Sequence, residues 1–314
     1  MSMQRLSGLL ILLLVAALLL LLPLSLRPYG LYLMSLWAVL TIAAMGLNLT
    51  LGYAGQVSLA QGAFVGIGAY SVALLTTAGW PLAAGLVVAV GLGLLVGWLL
   101  GYPALRVQHH YLAFVTLGAN TLVFLVLRNE DWLTGGVYGI AGIPRPELFG
   151  LPTADPLVFY YFCLAALLVA SLGLHGLLRS PWGRAFEALR ENPVRAESLG
   201  IDTRRYTLLA FAIGSAVGAL AGGLYAPLVQ YIDPSPFSLG LSLNLLLMVV
   251  VGGSGRFFGP WLGAAIAVLL PEWLRFSEGL YLILYAVLVI LVLVFLPAGL
   301  VGVAERLRRT EPAR

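Results

Sequence analysis

Lysine is absent from this 314-residue chain, and all seventeen basic residues are arginine. That excludes a GxxxxGK phosphate loop, a retinal-type Schiff base and a lysine nucleophile. Any ATP spent on the chain's work must be hydrolysed by another polypeptide. Charge of either sign is scarce, at 10% of residues against roughly 25% in an ordinary soluble domain. The single cysteine, Cys163, excludes an intramolecular disulfide, and its place within an apolar run marks it as a small core residue. His109 and His110 stand beside Arg106 with no carboxylate or thiol at ligand spacing, so they read as interfacial anchors; His175 is solitary and reads as structural. No Ser/His/Asp set and no paired carboxylates inside an apolar run point to catalysis, so the chain is not read as an enzyme.

What is present is hydrocarbon. Apolar residues make up 61% of the chain. Uninterrupted charge-free stretches run over 6–26, 28–105, 107–127, 156–178, 206–232, 234–255, 257–271 and 279–304. Exposed backbone finds no hydrogen-bond partner in lipid, and these runs are far longer than the roughly ten-residue alternating strands of a barrel. The fold class is therefore all-α, a polytopic membrane helical bundle. A span needs about 20 apolar residues, so 28–105 should hold three helices, divided near Gly52 to Gln56 and near Gly79-Trp80-Pro81. About ten segments result, with eight as the lower figure. The stretch 257–271 is short, and Gly252-Gly253-Ser254-Gly255 interrupts the segment before it, so one of the two is expected to be broken or re-entrant. The N-terminal run after Arg5 is read as a span rather than a signal peptide, because no A-x-A-like site follows it.

Ten spans place Arg5, Arg106, residues 179–205, Arg256 and the tail ERLRRTEPAR on one face, thirteen of the seventeen arginines in all. The positive-inside rule makes that face, and with it both termini, cytoplasmic. The largest loop opposite, 129–156, is rich in glycine and proline and is expected to be an ordered connection with at most a short helix.

Charge concentrates in RSPWGRAFEALRENPVRAESLGID, residues 179–202, which holds eight of the thirty charged side chains. Ser180-Pro181 reads as a helix start, and Asn192-Pro193 repeats the signal. Gly200 suits the left-handed position that closes a short helix over 193–199. Trp182, Phe186 and Leu189 share one helical face, with Arg184, Glu187, Arg190 and Glu191 around the rest. Such a pair of short helices fits a partner's groove, or alternatively lies among lipid headgroups. Four acids among the six arginines of 179–205 favour the protein partner.

The run SPWGRAFEALRENPVRAESLGIDTRRYTLLAF resembles the cytoplasmic coupling segment of branched-chain amino acid ABC permeases of the LivM type. NLTLGYAGQVSLAQGAFVGIGAYSVALL (48–75) and VVVGGSGRFFGPWLGAA (249–265) agree with the same family, so the likeness covers most of 40–300. The resemblance implies a single transmembrane permease domain over 1–314, multi-pass in a bacterial inner membrane. It also implies a second permease subunit (LivH-like), two cytoplasmic ATPases that hold ATP and magnesium, and a periplasmic substrate-binding protein, with no cofactor in this chain and no nucleic-acid partner. ATPase coupling is assigned to Trp182, Phe186, Leu189, Arg195, Glu197 and Gly200. Of the wider glutamate-alanine-alanine-x-x-x-glycine pattern only Glu197 and Gly200 are echoed. Branched-chain substrates follow from the resemblance alone, and related permeases carry urea, amides or other amino acids. An ion-coupled secondary transporter is the alternative class; a proton-driven one needs an acid within the membrane, whereas Asp233, Glu272 and Glu278 fall near span ends.

Candidate pathway residues are polar or small: Asn48, Gly52, Gly55, Gln56, Ser58, Gln61, Thr116, Asn120 and Asn244. The amides need partners at membrane depth, from neighbouring helices or from a polar cavity. A break at Gly52 to Gly55 would expose backbone groups able to meet an amino acid's carboxylate or ammonium. Gly62 and Gly66, Gly93-Gly97-Gly101 and Gly214-Gly218-Gly222 form GxxxG series that read as helix packing. Gly252, Gly253, Gly255 and Gly259 are candidates for a gate or hinge. LNLTL around Asn48 and LNLLL around Asn244 echo one another, as an internal repeat would.

Overall fold

A computed structural model describes residues 16–104, 109–145 and 155–273, apart from a few positions in the outer loop and near the C-terminus. Most of the expected last span, most of residues 1–15, Arg106 and the C-terminal tail lie outside the described residues. Helix α1, Pro28–Leu47, continues through a π-helical turn, Asn48–Tyr53. A non-helical stretch over 54–60 leads to α2, Gln61–Thr77, and α3, Leu82–Ala104, follows. The single charge-free stretch thus holds the three helices expected of it, divided at the expected places. Beyond lie α4, His109–Asn129, α5, Pro156–Arg179, the short α6, Pro181–Glu191, and α7, Pro193–Ser198. Helices α8, Thr203–Val229, α9, Leu239–Gly252, and α10, Gly259–Trp273, complete the described bundle.

Among the described residues, five helices are long and apolar enough to cross a membrane: 28–53, 82–102, 111–129, 156–179 and 203–229. The α9–α10 pair is a hairpin of short helices, 14 and 15 residues, or about 21 and 22 Å at 1.5 Å per residue. Its members approach through glycines: a Cβ on Gly252 would strike Gly259 O, and one on Gly263 would strike Met248 O.

Helix α8 is the axis of the packing. Its small residues let three neighbours come close, since a Cβ at Gly214 would meet Gly46 O of α1 at 2.6 Å and one at Gly222 would collide with Val65 O of α2. Gly93 and Gly97 of α3 rest on Ala219 and Ser215 of the same helix. The Gly93-Gly97-Gly101 and Gly214-Gly218-Gly222 series are therefore packing seams, as read. The outward faces of α3, α4 and α5 carry Val87, Leu95, Phe114, Leu122, Val169 and Leu172, exposed as lipid-facing residues should be. Cys163 is fully buried, and His175 packs edge-on against Phe257.

The loop between α4 and α5 is ordered where described. Asp131–Thr134 forms one helical turn, and Ile140–Ala141 pairs antiparallel with Tyr231–Ile232 after α8. That pairing holds the loop against the end of the bundle remote from α6 and α7.

Candidate functional site

Helices α6 and α7 form from local signals alone. Ser180 Oγ accepts from Trp182 N at 3.1 Å, and Asn192 Oδ1 accepts from Arg195 N at 3.1 Å, so each helix has a side-chain N-cap followed by proline. Gly200, at φ +83°, closes α7: Ile201 N donates to Ala196 O and Gly200 N to Glu197 O, the paired bonds of a Schellman motif.

The apolar stripe of α6 divides between two roles. Phe186 and Leu189 are buried in the chain's own bundle, Phe186 edge-on to Tyr206 at 6.3 Å between ring centroids. Neither is presented to a partner, which corrects the expectation that the whole stripe is offered outward. The reason is packing: the inward face of α6 lies against the start of α8, where Tyr206 meets Phe186. Trp182 stays 45% exposed, while Val194 and Leu199 of the second short helix are 77% and 80% exposed. Arg195, Glu197 and Gly200 are exposed beside them.

Three motifs that are remote in sequence meet under α6. The Asn48 side chain donates from Nδ2 to Arg256 O at 3.0 Å and accepts at Oδ1 from Gly255 N at 2.9 Å, so one amide pins the turn between α9 and α10 to the π turn. Arg190, near the end of α6, donates from Nη1 to Gly52 O at 2.6 Å. That carbonyl lies where helical structure ends, and a cation there satisfies an orphan acceptor and opposes the negative end of the helix dipole. Contacts are tight enough to demand glycine: a Cβ on Gly52 would strike Gly255 N, and one on Gly255, at φ +73°, would strike Arg190 Nη1. Gly55, at φ +71°, has Arg190 Cα within 3.2 Å of where a Cβ would stand. A small hollow lined by Met45, Asn48, Tyr53, Leu174 and Phe257 lies beside this junction.

Deeper in the bundle, the start of α2 is capped from other helices. Its own N-cap position is Ala60, which has no side chain to give. Instead Leu59 N donates to Thr116 Oγ1 at 3.0 Å, Gly62 N to Ser242 Oγ at 2.8 Å and Ala63 N to Asn120 Oδ1 at 2.8 Å. Ser242 Oγ also donates to Asn120 Oδ1 at 3.2 Å. Gln61 bridges α1 and α8 by donating to Ala43 O and Gly214 O, and Gln56 donates to Thr207 O. Ser58 Oγ accepts from Ala60 N. Gln56, Ser58, Gln61, Thr116 and Asn120 are all buried. In this conformation Ser58, Thr116, Asn120 and Ser242 serve N–H groups that the broken helix would otherwise leave unpaired in the membrane, while the two glutamines tie the break to carbonyls of neighbouring helices.

Asn244 differs. It is exposed on α9, away from this network, so it and Asn48 occupy unlike environments and their sequence echo marks no shared structural role. Gly252, Gly253, Gly255 and Gly259 do come together, at the turn that Asn48 holds. Sequence reading missed Ser242 as a site residue and did not separate Arg190 from the other rim arginines.

The junction carries no group suited to covalent chemistry; it joins an exposed helix pair to a broken helix and to a glycine turn. Comparison with known proteins gives that arrangement a family. Residues 29–296 match the family described as branched-chain amino acid transport system permease component. The chain is 36% identical over 296 residues to the high-affinity branched-chain amino acid transport system permease protein LivM of Escherichia coli K12, covering 85% of this chain and 68% of that one. The Salmonella typhimurium LivM is 36% identical over 289 residues, covering 82% and 67%. An autoinducer 2 import system permease protein, LsrC of Escherichia coli O9:H4, is 27% identical over 237 residues, covering 75% and 66%. No solved structure matches. The chain belongs to the family of branched-chain amino acid transport system permeases.

Proposed function

We propose that this chain is the permease subunit of an ATP-driven importer of branched-chain amino acids, a transport subunit and not an enzyme. The observation that carries the reading is its 36% identity to a LivM permease along 85% of its length. The geometry supports it: α6 and α7 pack on the end of the bundle with Trp182, Val194 and Leu199 exposed, and Arg190 ties them to the break after α1.

In this reading α6 and α7 lie on the cytoplasmic side of a bacterial inner membrane and seat on an ATPase subunit, one of a pair that binds ATP and magnesium. A second, LivH-like permease subunit completes the pathway, and a periplasmic binding protein delivers the amino acid to the opposite face, where the 129–156 loop lies. Asn244 is the pathway or subunit-contact residue in this scheme, because an exposed amide within a span requires a polar neighbour. Among the described residues every carboxylate lies at a span end or in a loop, which favours an external energy source over proton coupling. Nucleotide drives transport only through a difference in affinity between the conformations that open to either side.

Reconstitution of the chain with its cognate subunits in proteoliposomes tests the reading. Leucine, isoleucine or valine should enter only with internal ATP and external binding protein. Uptake by the isolated chain under a sodium or proton gradient would refute it.

A further inference from the structure

We propose that Arg190 is a positioning residue that transmits the seating of α6 and α7 to the broken helix and to the glycine turn, a role that rests on the permease reading above. Its guanidinium spans the gap between the exposed helix pair and Gly52 O. The same π turn holds the 255–256 turn through both ends of the Asn48 amide. A displacement of α6 therefore moves the carbonyl end of the π turn through Arg190, and the turn between α9 and α10 follows through Asn48. Two other arginines at this end are engaged elsewhere. Arg205 pairs with Asp202 in its own turn at 2.9 Å, and Arg204 lies over the Tyr102 ring.

The link uses one donor and one acceptor, which makes a specific demand on substitutions. Lysine retains the charge and can supply the one donor the link needs; glutamine is shorter and removes the charge. In the assembled transporter, Arg190→Gln should copurify with its ATPase, while the ratio of binding-protein-stimulated to unstimulated ATP hydrolysis falls about tenfold, the factor that a lost charge-assisted hydrogen bond carries. Arg190→Lys should restore most of that ratio. Arg205→Gln, an equal charge change on the same face, should leave it as it is.

A second measurement follows the motion itself. Spin labels at Glu187→Cys and Ser254→Cys, with Cys163→Ala, should move together between nucleotide states when Arg190 is present and separately in Arg190→Gln. An unchanged stimulation ratio in Arg190→Gln, failure of lysine to rescue, an equal loss in Arg205→Gln, or loss of copurification would each overturn the proposal; the last would make Arg190 a docking residue. An unmodified complex that shows neither stimulation nor uptake would overturn the permease reading itself, and this inference with it.

Discussion

Two polar clusters organise the break between α1 and α2, and they are built on opposite terms. The inner one, Gln61, Thr116, Asn120 and Ser242, is buried, and its hydroxyl and carbonyl oxygens fix the start of α2 from two other helices. The outer one, Asn48, Gly52, Arg190 and Gly255, reaches the edge of the bundle, and its charge-assisted hydrogen bond comes from Arg190 on the surface helix α6. The first holds a shape, whereas the second connects that shape to a surface. The cluster richer in buried polar side chains is thus the one without a path to the surface helices.

Substitutions can break or sharpen this contrast, beginning where the penalty should be greatest. Gly222→Val at the α8 seam forces a side chain onto Val65 O and should cost about 3 kcal/mol or more, seen as loss of monodisperse protein or a large fall in Tm in detergent. Within the inner cluster, Ser242→Ala removes the acceptor for Gly62 N and should cost about 1–2 kcal/mol. Combined with Asn120→Ala the losses should be non-additive in a double-mutant cycle, because the two side chains are bonded to each other.

At the outer cluster, Asn48→Leu should cost about 1 kcal/mol, and its larger effect should be on the turn it releases. A cysteine at Ser254 should then react faster with a water-soluble maleimide than the same cysteine beside an intact Asn48. The smallest stability effect belongs to the exposed pair: Val194→Ser and Leu199→Ser should stay within about 0.5 kcal/mol of the parent yet weaken ATPase copurification. Equal stability losses at Ser242 and at Leu199 would erase the contrast.

Much of this was legible in the chain. Glycine and proline placed the breaks in 28–105, and Ser180-Pro181, Asn192-Pro193 and Gly200 specified both short helices, because caps and turns are decided by residues within a few positions of one another. The destinations of the amides were not legible. Asn120 and Ser242 cap α2 only because α4 and α9 lie beside it, and no local pattern states that adjacency. Helical spacing likewise placed Phe186 and Leu189 on one face without revealing that α8 already covers it. Arg190 looked like any rim arginine, since a helical wheel does not show a carbonyl 138 residues away.

The stretch over 54–60 has a mechanical meaning as well. Gln61, which opens α2, reaches the level of Ala43, well above the π turn that ends at Tyr53. The chain climbs that distance without helical winding. The segment is thus held at both ends, its lower anchorage by Arg190 and its upper end by Thr116, Asn120 and Ser242, so neither flanking helix can slide without breaking one of these bonds.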